Sequence, residues 1–190
     1  MWFSAPEELQ GDGITLRRYR PGDLAMLKEA IATSHEHLRG WMPWAAELPT
    51  DDSVLAFLTP AIERFGGDAP ANYAITRPED GAYLGGCGLM PRVGEGALEI
   101  GYWVDVRHTG RGIGTEAARL LTTAALALEG VDRVEIHCDE ANVASAAIPR
   151  RLSYRLERVE DGEPEAPLER GRSMIWVAER GSWTGEPPPR

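Results

Sequence analysis

The segment His108-Thr109-Gly110-Arg111-Gly112-Ile113-Gly114-Thr115-Glu116-Ala117 decides the fold, because it places alternating glycines at the start of an amphipathic helix. The helix is predicted from apolar residues that recur at helical spacing: Ile113, Ala117, Leu120, Leu121, Ala124, Ala125 and Leu128. The first amides of a helix have no partners within it, and the helix dipole is positive at this end. Glycines allow a phosphate group to approach the backbone, and Arg111 adds a positive charge. The segment is therefore typical of an anion site.

Three interpretations of this segment compete. In the simplest, the glycines only form a tight turn into a helix. In the second, Gly112-x-Gly114-x-x-Ala117 is a dinucleotide-binding fingerprint, and Glu135 lies roughly 20 residues further on, where a ribose-binding acid is expected. A long spacer after the strand-like run that ends at Val104, and the late position of the motif in the chain, both weaken this second interpretation. The third depends on a wider stretch of sequence.

The stretch from Glu99 to Ala117 closely resembles the coenzyme A-binding motif of the GCN5-related N-acetyltransferases, and in particular their RimJ/RimL branch. Residues 142–154 are similar to the Asn-x-x-Ser helix of that branch, and residues 37–44 resemble its aromatic segment. The three motifs occur in the order expected for the family and cover most of residues 13–178. The resemblance implies an α+β fold: a single domain with a mixed, mostly antiparallel twisted sheet flanked by helices. It also implies acetyl-CoA, or another short acyl-CoA, as co-substrate, and no metal.

The resemblance assigns chemistry to Glu99 and Ser145. Alternation along the strand turns Leu98, Ile100 and Tyr102 to one face and Glu99 to the other, where a cleft can form. A glutamate here would deprotonate the incoming amine, which as an ammonium has no lone pair to attack a thioester; the alternative is an exposed strand carboxylate. Ser145 would donate a hydrogen bond toward the sulfur, with helix capping as its alternative.

The coenzyme-binding residues implied by the resemblance are Val104, Val106, Gly110, Arg111, Gly112, Ile113, Gly114, Thr115 and Asn142. Among them, the backbone near Val104 would hold the pantetheine arm and donate to the thioester oxygen. Asn142 would hold a pantetheine amide, although an asparagine at a helix start is also a common cap.

Two positions depart from the pattern of the family. Thr109 stands where many relatives have Gln or Arg, which leaves the amide cradle intact. Pro149 stands where many have a tyrosine that acts as general acid, so the identity of the proton donor is open. His108 and His137 lack the partner pattern of a nucleophilic triad, and we interpret both as structural or solvated.

The segment that covers the acceptor site in this branch supplies four candidate substrate contacts: His35, Glu36, Trp41 and Trp44. The two tryptophans have an equally good interpretation as core residues, because large aromatic side chains at helical spacing are usually buried. The acceptor itself is predicted to be a small-molecule or peptide amine.

The charge balance restricts the partners. The 190 residues include 30 acidic and 20 basic ones, so we expect neither nucleic acid nor an anionic membrane as partner. Cationic acceptors suit this charge, although an acidic surface also serves solubility. Cys87 and Cys138 have no metal-ligand spacing and are predicted to be buried thiols. No apolar run approaches the ~20 residues of a membrane span, and no signal-like start is seen, so the predicted location is cytoplasmic.

The predicted organisation is an N-terminal extension at residues 1–12, one acyltransferase domain at 13–178 and a flexible tail at 179–190. One helix is predicted to begin at Leu24. A second helical stretch is predicted to run through Leu38 and Trp41 to Pro43, and a third helix to follow an N-cap at 50–53. The spacing of apolar residues then changes from helical to strand-like and predicts strands at 73–76, 83–90 and 97–104, which form an antiparallel meander. After the long helix come a strand at 134–138, a helix at 143–152 and strands at 154–159 and 173–177. The acidic stretch 160–171 is expected to be mobile.

The sequence thus predicts an N-acyltransferase that moves an acyl group from acyl-CoA to a primary amine by direct attack in a ternary complex. The acceptor could be a protein amino terminus, an amino acid, an aminoglycoside-like amine or another metabolite. The alternative is a domain of the same fold that binds acyl-CoA as a sensor or assembly part without catalysis. The oligomeric state, a homodimer included, stays open.

Overall fold

The computed structural model describes residues 3–186 and contains one eight-stranded sheet of order β1-β2-β3-β4-β5-β6-β8-β7. The strands are β1 (Glu8–Gln10), β2 (Thr15–Arg18), β3 (Ala71–Thr76), β4 (Tyr83–Met90), β5 (Ala97–Val104), β6 (Arg133–Asp139), β7 (Arg155–Asp161) and β8 (Arg172–Glu179). All neighbouring strands are antiparallel except β5 and β6, which are parallel. This confirms the mixed, mostly antiparallel sheet and excludes the doubly wound fold of the dinucleotide interpretation.

Within residues 3–186, four α-helices cover the two faces of the sheet: α1 (Leu24–Leu38), α2 (Asp51–Glu63), α3 (Ile113–Ala127) and α4 (Val143–Arg151). Leu27 of α1 and Leu58 of α2 belong to one apolar core, which includes Tyr83 of the sheet. Leu121 of α3 and Ala146 of α4 belong to a second core on the other face. Successive side chains of β5 point to opposite faces of the sheet. The candidate site residues of β5 are therefore also divided between the two faces.

Several predicted boundaries are confirmed, and two elements differ. Thr50 caps α2, because the Ser53 amide donates to its hydroxyl at 3.1 Å. The helical stretch predicted through Trp41 to Pro43 is wrong: α1 is continuous to Leu38, and a turn then leads to a short 3-10 turn at Pro43–Ala45. Strand β1 was not predicted, because three residues are too few to show a period.

The acidic stretch between β7 and β8 is attached to the rest of the molecule. The amides of Arg170 and Arg172 donate to Asp139 Oδ2 at 3.0 and 3.1 Å. The Leu168 amide donates to the Gly40 carbonyl at 3.0 Å. A Cβ on Gly40 would lie 2.6 Å from Leu168 Cδ1, so the glycine permits this close approach. The β7–β8 loop is therefore fixed beside the segment that follows α1.

At the carboxyl end, the Trp183 ring packs 5.9 Å from the Tyr154 ring, and Arg119 donates to the Gly185 carbonyl at 3.0 Å. The flexible tail predicted for 179–190 stays a prediction, and its residues 187–190 lie outside the described residues. No helix within residues 3–186 has the length and apolar character needed to cross a membrane.

Candidate active site

Among the strands of residues 3–186, one neighbouring pair is parallel, and this pair diverges. Strands β5 and β6 pair through Ala97, Leu98 and Glu99, and the pairing ends at Glu99 and Glu135, although β5 continues to Val104 and β6 to Asp139. The amide of Asp105 donates to the Leu84 carbonyl of β4 at 2.8 Å. Because successive amides of a strand point to opposite sides, the amide and carbonyl of Val104 are directed away from β4 and into the opening. We call this wedge between β5 and β6 the strand gap.

The loop that leaves β5 forms the predicted anion site. Gly110 and Gly112 have φ of +73° and +79°, and Gly112 is the N-cap of α3. Within the described residues, none of the amides of residues 110–115 donates a hydrogen bond to another protein group. Arg111 is exposed beside them. Free amides at a helix start fit a pyrophosphate, so the residues present suit the phosphate end of coenzyme A.

The loop is anchored to α1 by ion pairs. Asp105 is fully buried and binds Arg107 at 2.7 Å, and Arg107 also binds Glu29 of α1 at 2.9 Å. Burial raises the pKa of the Asp105 carboxyl, but the hydrogen bonds from Arg107 outweigh it and hold this pKa below its ordinary value. The amide of Val106 donates to Ser34 of α1 at 3.0 Å, so this amide is already used inside the protein.

On the face of α1 and α2, Glu99 lies in a cluster of charged residues at the apex of the strand gap. Arg92 binds both of its carboxylate oxygens, through Nε at 2.7 Å and Nη2 at 2.6 Å. His137 of β6 places Nδ1 3.9 Å from Glu99 Oε2 and Nε2 2.7 Å from Glu135 Oε2. Arg133 binds Glu135 at 2.8 Å. The interpretation of His137 as structural or solvated stays a prediction, and the structure adds that His137 lies between two carboxylates that strand pairing brings together.

Arginine and histidine side chains also determine the protonation state of Glu135. Burial raises the pKa of its carboxyl, but hydrogen bonds from Arg133 and His137 outweigh the burial and lower this pKa. Glu135 is therefore an anion at neutral pH. The signal for it was present in the sequence, because Glu135, His137 and Asp139 share one face of an otherwise apolar strand.

On the opposite face, Ser145 lies on the first turn of α4, and its amide donates to Asn142 Oδ1 at 3.0 Å. Asn142 is therefore a cap in this structure. The Ser145 hydroxyl is 3.2 Å from the Tyr102 hydroxyl, which donates to the Ser145 carbonyl at 3.3 Å. A Cβ on Gly114 would lie 2.9 Å from Ile148 Cδ1, so this glycine permits α3 and α4 to approach closely. Tyr102 was not predicted as a site residue.

The four predicted substrate contacts lie at the end of α1 and in the turn that follows. Trp44 is 53% exposed, and its ring is 6.0 Å from the Trp103 ring, on the same face of β5 as Glu99. Trp41 is half-buried, His35 is largely buried in the last turns of α1, and Glu36 is exposed and binds Arg39 at 3.3 Å. Trp44 is thus not a core residue. We call residues 40–45 and the β7–β8 loop the acceptor rim.

The described residues contain no group of three or more His, Cys, Asp or Glu side chains placed to hold a metal ion. Cys87 and Cys138 are both buried free thiols, as predicted.

Comparison with known proteins identifies the family. Residues 14–155 match a family model described as the acetyltransferase (GNAT) domain. YdaF of Bacillus subtilis (strain 168), provisionally named a ribosomal N-acetyltransferase, is 31% identical over 152 residues, which cover 78% of this chain and 82% of YdaF. The chain belongs to the GNAT acetyltransferase family. The resemblance of the sequence to this family is thereby confirmed.

Solved structures agree with the fold of this acetyltransferase. RimL, the ribosomal L7/L12 alpha-N-protein acetyltransferase in complex with coenzyme A, superposes with a TM-score of 0.80 at 19% identity and covers 91% of this chain and 98% of its own. The microcin C7 self-immunity acetyltransferase MccE, in complex with acetyl-CoA and AMP, gives 0.77 at 19% identity and covers 89% of this chain and 93% of its own. The family match and the relative YdaF confirm the predicted acyl-CoA-dependent transfer to an amine, and the sensor alternative is not favoured.

Proposed function

We propose that this acetyltransferase acylates a primary amine of a peptide or protein, with Glu99 as base and Ser145 near the leaving thiol. The observation that carries the proposal is the strand gap, which opens at Glu99 and leads to the free amides of residues 110–115. Bound acyl-CoA would supply the acyl group as an activated thioester. The names of YdaF and RimL, which refer to ribosomal proteins, support a peptide rather than a metabolite as acceptor.

Each face of the strand gap has its own part in the proposed reaction. Glu99 faces the acceptor rim and accepts a proton from the incoming ammonium, so that the amine gains a lone pair. Val104 directs its amide into the gap, where it can donate to an oxygen that becomes negative. Ser145, on the other face, directs a hydroxyl toward the gap. The acceptor and the leaving group are thus handled by different elements.

The acceptor rim carries negative charge. Glu163 and Glu165 of the β7–β8 loop are exposed there, and Glu36 is exposed nearby at the end of α1. The whole chain has a formal net charge of -10. A cationic amine, or a peptide with basic residues near its amino terminus, therefore suits this entrance better than an acidic one. Added salt should weaken such an acceptor through screening.

The coenzyme half of the proposal is tested by Gly112→Asp, which adds a negative charge and a Cβ where the phosphate would bind. Titration calorimetry should show coenzyme A affinity reduced by tenfold or more, about 1.4 kcal/mol. Gly130→Asp is the matched control, because Gly130 has φ +77° and equally open surroundings but lies beyond the other end of α3. Equal affinity of the two variants would contradict the assignment.

The catalytic half is tested by thiol release from acetyl-CoA across a panel of peptides and small amines. Glu99→Gln keeps the shape of the side chain but cannot accept a proton, so the rate at neutral pH should fall by about 10²-fold. Partial recovery is expected at high pH, where free amine accumulates. Glu95→Gln, in the exposed β4–β5 turn, is the control. Coenzyme binding without thiol release on any amine would instead indicate the sensor.

A further inference from the structure

A base that is almost buried needs a path by which its proton can leave. The side chain of Glu99 is 7% exposed, and both of its oxygens accept hydrogen bonds from Arg92. A proton taken from an ammonium must leave this carboxyl before the next turnover. The structure therefore raises the question of which neighbouring group receives it.

His137 is the neighbour that meets the requirement. Its side chain is 28% exposed, and its Nδ1 lies 3.9 Å from Glu99 Oε2, a separation that a small shift or one water closes. Its Nε2 lies 2.7 Å from the Glu135 carboxylate. Because an ionised carboxylate can only accept, it fixes the neutral ring with its hydrogen on Nε2, and the lone pair of Nδ1 is left facing Glu99.

The charges around His137 favour a temporary positive ring. Glu135 is 3% exposed and hydrogen-bonded to His137, and Glu99 adds a second negative charge. Three arginines counteract these two negative charges. Arg92 binds Glu99, Arg133 binds Glu135, and Arg158 of β7 lies within electrostatic reach of Glu135. Two further carboxylates lie near this set: Glu165, which acts on Arg92, and Asp139, which accepts amides of the β7–β8 loop.

We propose that His137 is the proton outlet of Glu99, with Glu135 as the residue that positions it. The inference rests on the proposed function. The ammonium gives a proton to a Glu99 oxygen, and the O–H bond then breaks as Nδ1 of His137 takes that proton. Glu99 returns to a carboxylate, and the imidazolium is held by Glu135. The ring finally releases the Nδ1 proton to solvent and is neutral again, with Nε2 still protonated.

The coupling is tested without turnover by NMR of the nitrogen-15-labelled imidazole rings. The His137 signals are assigned with His137→Gln. The neutral ring should carry its hydrogen on Nε2, and Glu99→Gln should shift the Nδ1 resonance, because the carboxylate that faces this nitrogen is lost. Glu135→Gln should mix the tautomers, because the carboxylate that fixes the hydrogen on Nε2 is lost. A neutral ring with its hydrogen on Nδ1, or an Nδ1 resonance unaffected by Glu99→Gln, would overturn the proposal.

The kinetic test compares His137→Gln with Glu129→Gln, which alters an exposed residue beyond the end of α3. His137→Gln should lower kcat by roughly tenfold or more and leave the KM for acetyl-CoA unchanged. Free imidazole in the buffer should restore part of the rate, which a structural defect would not allow. A His137→Gln variant with wild-type kcat would contradict the role of His137 as proton outlet, but not the proposed function. A protein whose His137 resonances respond to Glu99→Gln but which acylates no amine would refute the proposed function, and the relay with it.

Discussion

At the scale of single residues, Pro149 has an effect that reaches Tyr102. Proline has no amide hydrogen, so the Ser145 carbonyl four residues earlier lacks the helical hydrogen bond that it would otherwise accept. The Tyr102 hydroxyl donates to this carbonyl and also meets the Ser145 hydroxyl. Burial raises the pKa of the Tyr102 phenol, so this group stays protonated at neutral pH. Tyr102 is therefore a neutral phenol that orients Ser145.

Ser145 should matter less than Glu99. A thiol of pKa about 8.5 is a tolerable leaving group near neutrality, so little acid assistance is needed. We expect Ser145→Ala to lower kcat by about tenfold, or about 1.4 kcal/mol of barrier. Tyr102→Phe should lower kcat less and reduce the free energy of unfolding by about 1 kcal/mol. Steady-state kinetics and melting curves on both variants check this order. A loss at Ser145 equal to that of Glu99→Gln would contradict it.

At the scale of elements, the segment after α1 supplies the Trp44 ring that lies against Trp103. We expect Trp44→Ala to raise the acceptor KM severalfold and to leave coenzyme A affinity and melting temperature nearly unchanged, because the ring is largely exposed. Trp183→Ala is the matched control: it removes a ring packed on Tyr154 and should lower melting temperature without altering acceptor KM. A large melting shift in Trp44→Ala would restore its interpretation as a core residue.

The elements themselves could largely be predicted from the sequence, because their signals are local. Strands β4 and β5, and the start of α3 at a glycine, depend only on alternation, helical period and capping. The charged cluster could not be predicted in the same way. The register that places Glu135 beside Glu99 is set across a helical crossover, and no local pattern specifies it. Arg92 and Tyr102 were missed for a similar reason, since their partners lie on other elements.

At the scale of the whole molecule, buried carboxylates make the stability of the fold depend on pH. Although burial raises their pKa values, hydrogen bonds lower those of Asp105, Glu135 and Asp139 below the ordinary values. Their folded-state pKa values lie below the unfolded ones, so their stabilisation is full above the unfolded value of about 4 and is lost as pH falls through the folded values. We expect the melting temperature to fall steeply below pH ~4.

Asp139→Asn tests whether a buried carboxylate causes this loss of stability at low pH. An asparagine has one acceptor oxygen, whereas Asp139 accepts amides of Ala141, Arg170 and Arg172. The variant should lose about 2 kcal/mol of unfolding free energy at pH 7, and its deficit relative to the wild type should shrink below pH ~4, where protonation removes the advantage of the wild type. Asp161→Asn, whose side chain is 88% exposed, should leave the profile unaltered. A deficit that stays constant with pH would assign the effect to shape alone.

The divergence of β5 from β6 gives the sheet two strand edges in its interior rather than at its margins. Exposed edges usually invite pairing with any extended chain, and proteins guard against this. Here the two edges face each other across the strand gap, where an extended, amide-bearing arm would hydrogen-bond to both. Such an arm would join the two halves of the sheet. The co-substrate would then be a stabilising ligand for the enzyme, in proportion to its concentration over its Kd.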